Sequence, residues 1–527
     1  MAARATGKEW IGLAVISLAC VLYVMDLTVL HLAIPAISAD LKPSSAQLLW
    51  IIDIYGFLVA GSLITMGTLG DRIGRRRLLM MGAGAFGVGS VAAAFSTSAE
   101  MLIVTRALLG IAGATLAPST LSLIRNMFLD PQQRTVAIGI WITSFSVGGA
   151  IGPLVGGVVL EYFWWGAVFL LALPVMAVLL VTGPRLLPEF KAPSVGRPDI
   201  LSAAMALAAV LSVIYGLKQT AQDGLDWISI ASISLGVALS VVFVRRQATL
   251  EEPFIDLKLF RIPSFSVSLA LYGFGIFLVF GGFLFLPQYL QLVVGLTPFQ
   301  AGLWTLPWAL GFVVGSNVTP ILAKRFAPST LMLAGFVFAA IGFAMLTQVD
   351  RGSGLGILVA GSVIFSLGTS PMFTLTNDLI IGSVPPERAG AAAGLSETSA
   401  EMGGAVGIAV FGSIGVAIYR GGVEVPAEVP GSVAAVARDT LGGALDVANG
   451  LPPDVASSLV QAAQAAFTEG MHVGAIISAV GCLALTGLVV VIRSNERSRH
   501  GEGADASEME THAASPSGVI QPAGPDS

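Results

Sequence analysis

The chain has 527 residues, of which 55%, about 290, are apolar and 11% are charged, with a net charge of −5; a soluble domain carries roughly 25% charged residues. Mean hydropathy is +0.84, and an apolar supply of this size furnishes about fourteen bilayer-spanning helices of about 20 residues. These values exclude a soluble enzyme, a disordered chain and a nucleic-acid binder, and a lone pair of cysteines inside apolar runs, Cys20 and Cys482, excludes a disulfide scaffold.

In chain order, apolar runs of helix length predict spans over residues 10–37, 47–69, 78–96, 99–126, 134–160 and 164–184. Two more follow at 198–219 and 226–245, then six at 264–290, 299–323, 329–348, 354–383, 391–419 and 470–492. Helices satisfy every backbone group within one segment, and these long runs lack the alternation of barrel strands. The predicted fold is an all-α polytopic membrane protein of fourteen transmembrane helices. Residues 1–184 form an N-terminal six-helix half and 185–247 two inserted helices. Residues 248–492 form a C-terminal six-helix half with an outer loop at about 420–469, whose Ala-rich second half suits a short surface helix. The polar stretch 493–527, rich in Gly, Ser, Pro and Glu, reads as a disordered cytoplasmic tail.

Lysine and arginine set the orientation. With the N-terminus inside, twenty-one of the 27 fall on the cytoplasmic side, and five outside: Lys42, Lys218, Arg351, Arg420 and Arg438. Arg106 alone is placed within a span. This asymmetry fits the positive-inside rule and puts both termini in the cytoplasm. The first span runs past Asp26 to Pro35 without a usual cleavage site, so it is read as a retained helix and not a signal peptide.

Two echoes suggest an internal repeat. Leu69–Gly82 is matched 253 residues later by Leu322–Gly335, and Pro131–Arg134 is matched at an offset of 254 by Pro385–Arg388. Both pairs fall in equivalent cytoplasmic turns. A parallel repeat of six-helix halves is the layout of a rocking transporter with its site at the midplane.

An ionisable group at mid-bilayer costs roughly 2.5–3.5 kcal/mol on insertion scales and is a functional candidate by default. Asp26 lies well inside span 1, Asp53 about two turns into span 2, and Glu397 and Glu401 share one face of span 13 at i and i+4. Such carboxylates carry protons when protonated and attract a cation when not. Each also has a structural reading: Asp53 as a solvated helix-start acid, Asp26 as scaffold, the glutamates as groups open to cytoplasmic water. Arg106 is read as scaffold or proton relay, paired with an acid or with carbonyls. His31 either joins the Asp26 network or is simply satisfied locally. Asp378 suits a structural ion pair near Lys324 and Arg325. Trp141, Phe145, Trp304, Trp308 and Phe373 offer π-faces to an organic cation, or pack.

Gly67-Thr-Leu-Gly-Asp71-Arg72-Ile-Gly74-Arg75-Arg76-Arg-Leu-Leu79 matches the loop motif between helices 2 and 3 of the major facilitator superfamily. Gly148-Gly-Ala-Ile-Gly152-Pro153-Leu-Val-Gly156-Gly157 matches the helix 5 motif of its antiporters. Asp26-Leu-Thr-Val-Leu-His31-Leu-Ala-Ile-Pro35 resembles the helix 1 motif, with His31 where the family usually has Asn. Leu102–Gly110 resembles that of helix 4, with Leu109 for a common Gln. Over about residues 10–492 the chain resembles the fourteen-helix drug:proton antiporters of that superfamily, of the quaternary-ammonium and multidrug type. The resemblance implies proton-coupled export of small lipophilic or cationic drugs by a monomer in the lipid bilayer. It implies no cofactor beyond protons as coupling ion, no metal and no enzymatic activity. It also assigns Asp26, Asp53, Glu397 and Glu401 to proton coupling or cation recognition. An acid linked to dicationic drugs in some relatives is replaced by Phe312, which points to monovalent cations. The alternative is an exporter of an endogenous metabolite such as a lipid, siderophore or self-made antibiotic. A polytopic enzyme would need a nucleophile, metal cluster or phosphate loop, and the four histidines are scattered.

Overall fold

In the computed structural model of the protein, residues 4–191, 199–250, 253, 255–350, 354–384 and 389–513 are described; they are predominantly helical, with no strand among them. The first group is α1 (Gly7–Leu41), α2 (Ser45–Ile73), α3 (Arg75–Ala94), α4 (Ala99–Gly113), α5 (Leu116–Met127), α6 (Pro131–Tyr162), α7 (Ala167–Leu170) and α8 (Ala172–Leu186). Then come α9 (Ile200–Asp223) and α10 (Trp227–Thr249). The last group is α11 (Pro263–Phe283), α12 (Leu286–Gln288), α13 (Pro298–Leu322), α14 (Pro328–Leu346) and α15 (Gly354–Gly382). It ends with α16 (Ala389–Gly422), α17 (Gly431–Asp439), α18 (Leu441–Ala448) and α19 (Pro453–Ala513).

Among the described residues, fourteen helical stretches are long and apolar enough to cross a membrane, so this is a multi-pass membrane protein. α4 and α5 form one stretch, and α11 joins α12 and a π turn at Tyr289–Val293 in another. Several helices begin with reciprocal capping: Thr6 with Glu9, Ser44 with Gln47, Thr297 with Gln300. These caps satisfy the orphan amides where the chain enters the apolar layer.

Buried apolar side chains fall into two large clusters. One runs from Leu13 to Leu187; the other comes mostly from residues 259–489. A smaller cluster at their seam joins Phe57 of α2, Ile214 of α9 and Ala409 of α16. The two groups meet closely at the end of the bundle remote from the N-terminus. There a Cβ on Gly157 of α6 would lie 2.9 Å from Phe299 Cα of α13; nearer the middle of the bundle, one on Gly56 of α2 would lie 3.2 Å from Ala405 Cβ of α16. Small residues permit this approach, as in other membrane helix pairs.

The segment after α16 crosses that far end. Asp439 accepts hydrogen bonds from the Ser45 amide and hydroxyl at 2.8 Å each, and Lys42 pairs with Asp446 at 2.9 Å. The segment holds α17 and α18, and its Ala-rich second half, expected as a short surface helix, is the end of α18 and the opening turns of α19, which begins at Pro453 and runs on into the last span. At the other terminus α19 continues as helix as far as Ala513. Arg, Glu, Met and Ala there extend an existing helix at little cost per residue. Residues 514–527 and the Pro385–Arg388 echo lie outside the described residues.

Candidate functional site

The interior polar groups cluster around α1, α2, α4, α9 and α16. Asp26 of α1 accepts from Arg106 Nη1 at 2.6 Å, and Arg106, fully buried, also reaches the Ile51 carbonyl at 3.4 Å. The Tyr55 ring lies 4.5 Å from the guanidinium carbon. A charge taken out of water needs this kind of company: an opposite charge, a carbonyl and a π-face. Arg106 thus has both kinds of partner expected from sequence.

His31 stands apart from that network. It is buried edge-on to Phe283, with centroids 5.9 Å apart, and its Nδ1 has no hydrogen-bond partner among the described residues. Five residues along a helix is a turn of about 140° from Asp26, so His31 faces the C-terminal group instead.

Asp53 is not a solvated helix-start acid. It is 1% exposed, and its carboxylate lies 2.8 Å from the ammonium of Lys218 on α9. Lys218 is itself 3% exposed and sits 3.8 Å from the Trp50 ring centroid. Two expectations are corrected: Lys218 does not lie in the outer aqueous layer, and Arg106 is not the sole interior cation. Lys218 comes late in α9, where a positive residue reads as a flank; only the fold shows that it turns back onto Asp53.

Glu397 and Glu401 lie on α16, both half-buried. Glu401 accepts a hydrogen bond from the Tyr23 hydroxyl of α1 at 2.6 Å. Among the described residues neither glutamate has a cationic partner. Around this level Tyr23 stands beside Phe145 of α6 at 6.3 Å, and Phe145 is edge-on to Trp141 at 4.7 Å. From the C-terminal group, Phe373 is edge-on to Tyr272 at 5.9 Å and to Phe312 at 5.0 Å, and Trp308 stacks on Phe283 at 4.5 Å. Trp304 does not join these rings; it is 41% exposed. Tyr23, Tyr55, Trp50 and Lys218 were not singled out from sequence, because their roles depend on how each helix is rotated.

The glycine-rich turn between α2 and α3 is built as a bracket. Gly74 adopts φ +114°, and a Cβ there would strike the Glu189 carboxylate. Arg75 pairs with Asp71 at 2.6 Å and donates to the Pro118 carbonyl; Arg76 donates to the Pro184 and Leu187 carbonyls at 3.2 and 3.0 Å and approaches Glu189 at 3.6 Å. The last two carbonyls belong to the C-terminal end of α8, where the helix dipole favours a cation. Arg72 is exposed, and Gly67 touches only Pro118. These bonds all stay within the N-terminal group. Asp378 is exposed, as are Lys324 and Arg325, and no ion pair joins it to either of them among the described residues. In α6, Gly148, Gly152 and Gly156 face α1 at Val21, Thr28 and Val29, while Pro153 and Gly157 face α13. The motif therefore spaces α6 from both neighbours.

A family model described as Major Facilitator Superfamily matches residues 16–408. The chain is 43% identical over 488 residues to the multidrug efflux pump LfrA of Mycolicibacterium smegmatis, covering 93% of this chain and 97% of that protein. It is 34% identical over 467 residues to the methyl viologen resistance protein SmvA of Salmonella typhimurium, covering 87% and 93%. It is 31% identical over 496 residues to the tetracenomycin C resistance and export protein of Streptomyces glaucescens, covering 92% and 91%. Among solved structures, an inward-facing, unoccupied bacterial homologue of the human lysosomal transporter Spinster shares the fold. Its TM-score is 0.60 at 17% identity, over 92% of this chain and 98% of that one. With fourteen spans, the two-cluster architecture and a matching family model, this chain belongs to the Major Facilitator Superfamily and is a transporter, not an enzyme.

Proposed function

We propose that the protein is a proton-coupled multidrug efflux antiporter of the plasma membrane, exporting lipophilic, mainly monovalent organic cations by alternating access with both termini cytoplasmic. The observation that carries this reading is the pair Glu397 and Glu401: two interior carboxylates without a cationic partner among the described residues, at the level of Tyr23, Phe145, Tyr272 and Phe373. Carboxylate plus aromatic face is the chemistry that holds an organic cation out of water. Asp26 and Asp53 already have their cations, Arg106 and Lys218. The relatives named for multidrug efflux and for methyl viologen resistance support drugs as substrates; methyl viologen is a dication, so the monovalent preference rests on Phe312 and not on that relative.

In this cycle a cation entering from the cytoplasm binds the glutamates and displaces their protons inward. After the halves rock, protons from outside neutralise the carboxylates and the cation leaves. One proton for one monovalent cation draws on the pH gradient alone, about 1.36 kcal/mol per unit. A second proton adds about 2.3 kcal/mol per 100 mV. The positive-inside count makes the tightly packed far end the outer one, so the conformation described is closed to the outside.

The relative named for tetracenomycin C export supports a second reading, export of an endogenous metabolite. Cells expressing the chain should accumulate less ethidium than controls, with the difference erased by collapsing the proton gradient. Equal accumulation across a panel of cations would overturn drug export and favour the metabolite.

A further inference from the structure

The hydroxyl of Tyr23 is the hydrogen bond donor that the exchanging carboxylates receive from the opposite half. It lies 2.6 Å from Glu401 Oε1, joining α1 to α16. Its surroundings fix the donor and not the acceptor. Tyr23 is 3% exposed, with Tyr55 and Phe145 each 6.3 Å away in ring centroids. Tyr55 in turn lies against Arg106, which is bonded to Asp26. The phenol is therefore braced by the charged core of the N-terminal half, while Glu401 is only half-buried.

The groups facing Glu401 are few. Glu397 stands one turn away on its own helix, Tyr23 comes from α1, Tyr55 from α2 and Tyr272 from α11. Lys218 of α9 is engaged by Asp53 of α2. Among the described side chains, the charges that α15, α17 and α19 bring, Asp378, Arg438, Asp439, Asp454, Glu469 and His472, lie toward the ends of the bundle. Among the described residues, the other hydrogen bonds joining the two halves, Gln291 to the Leu32 carbonyl, Ser45 to Asp439 and Lys42 to Asp446, lie beyond Tyr23 toward the far end.

We propose that Tyr23 is a positioning residue that holds the charged Glu401 carboxylate across the seam, so that loading Glu401 with a proton weakens a bond between the halves. A hydrogen bond to an ionised acceptor is roughly twice as strong as one between neutral groups. Deprotonated Glu401 thus holds this contact more strongly than protonated Glu401 does. The proposal rests on the antiport reading for its role in the cycle, though not for the bond itself.

The test is an infrared titration of the protein in lipid nanodiscs, following the carboxylic acid band that Glu401→Gln removes. Tyr23→Phe keeps the ring and deletes the donor. Because a bond to the charged form holds a proton affinity down, the band's midpoint should move up, by about one pH unit. Site-specific 3-fluorotyrosine at position 23, a stronger donor of similar size, should move it down and serves if the phenylalanine variant folds poorly. An unchanged midpoint in both overturns the proposal. In proteoliposomes, Tyr23→Phe should shift the pH dependence of proton release upward with the band's midpoint; release that falls with its pH dependence unchanged marks a merely structural residue and also overturns it. Absence of proton release from the unmutated protein would sink antiport alone, leaving the titration to decide Tyr23.

Discussion

The Lys218 ammonium of α9 lies 2.8 Å from the Asp53 carboxylate of α2, both side chains essentially sealed from solvent. The inserted helices are thereby pinned to the N-terminal half by charge as well as by apolar packing around Phe57 and Ile214. Breaking a buried pair by deleting one partner costs about 3–5 kcal/mol, whereas replacing both with apolar groups is often neutral. Lys218→Met and Asp53→Asn should each lower thermal stability in detergent strongly, and the double variant should recover most of it. A double variant as unstable as the sum of the singles would show that the pair is not the reason these residues are there.

Asp26→Asn leaves the buried Arg106 without its 2.6 Å carboxylate. A loss on the order of 3–5 kcal/mol in unfolding free energy follows. Arg106→Lys should also fail to rescue, since a point charge cannot serve Asp26 and the Ile51 carbonyl as the planar fork does. Calorimetry of purified protein checks both; a near-unmutated transition for Asp26→Asn would contradict the assignment.

Both the fold and the motif-bearing turn were legible in sequence, for different reasons. Span length and polar punctuation follow from the bilayer thickness, so α14, expected at 329–348, runs Pro328–Leu346. Arg76 at a turn after a glycine reads directly as a cation near helix ends, and it is bonded to the α8 carbonyls. Partnerships between distant helices were not legible. Whether Tyr23 meets Glu401, or His31 misses Asp26, depends on rotation about each helix axis, which a helix apolar on all sides does not encode. Lys218 was placed outside because a cation late in an apolar run ordinarily marks its end.

Gly157 offers a test of the outer seam. A methyl there would meet Phe299 Cα at 2.9 Å, backbone that cannot rotate away. Gly157→Ala should push α6 from α13 and shift the population away from this conformation. Distances between spin labels across the far end should lengthen, with export slowed several-fold. Unchanged distances would mean that the seam has slack.

Arg76→Ala removes the bonds to the Pro184 and Leu187 carbonyls and the approach to Glu189. Hydrogen bonds from a charged donor contribute about 1.5–3 kcal/mol each, so the turn should loosen. Transport turnover is expected to fall at least tenfold with little change in the affinity for ethidium, measured by fluorescence titration. A matched loss of binding would place Arg76 in the substrate site and not in the moving bracket.

The central claim is that Glu397 and Glu401 exchange protons for an organic cation. Purified protein in liposomes, acidic inside with a lumenal pH dye, should release protons when ethidium is added. Glu397→Gln and Glu401→Gln should each abolish that release, while the double variant Lys218→Met with Asp53→Asn retains it. Release that survives loss of both glutamates, or no release with any cation, would contradict the account.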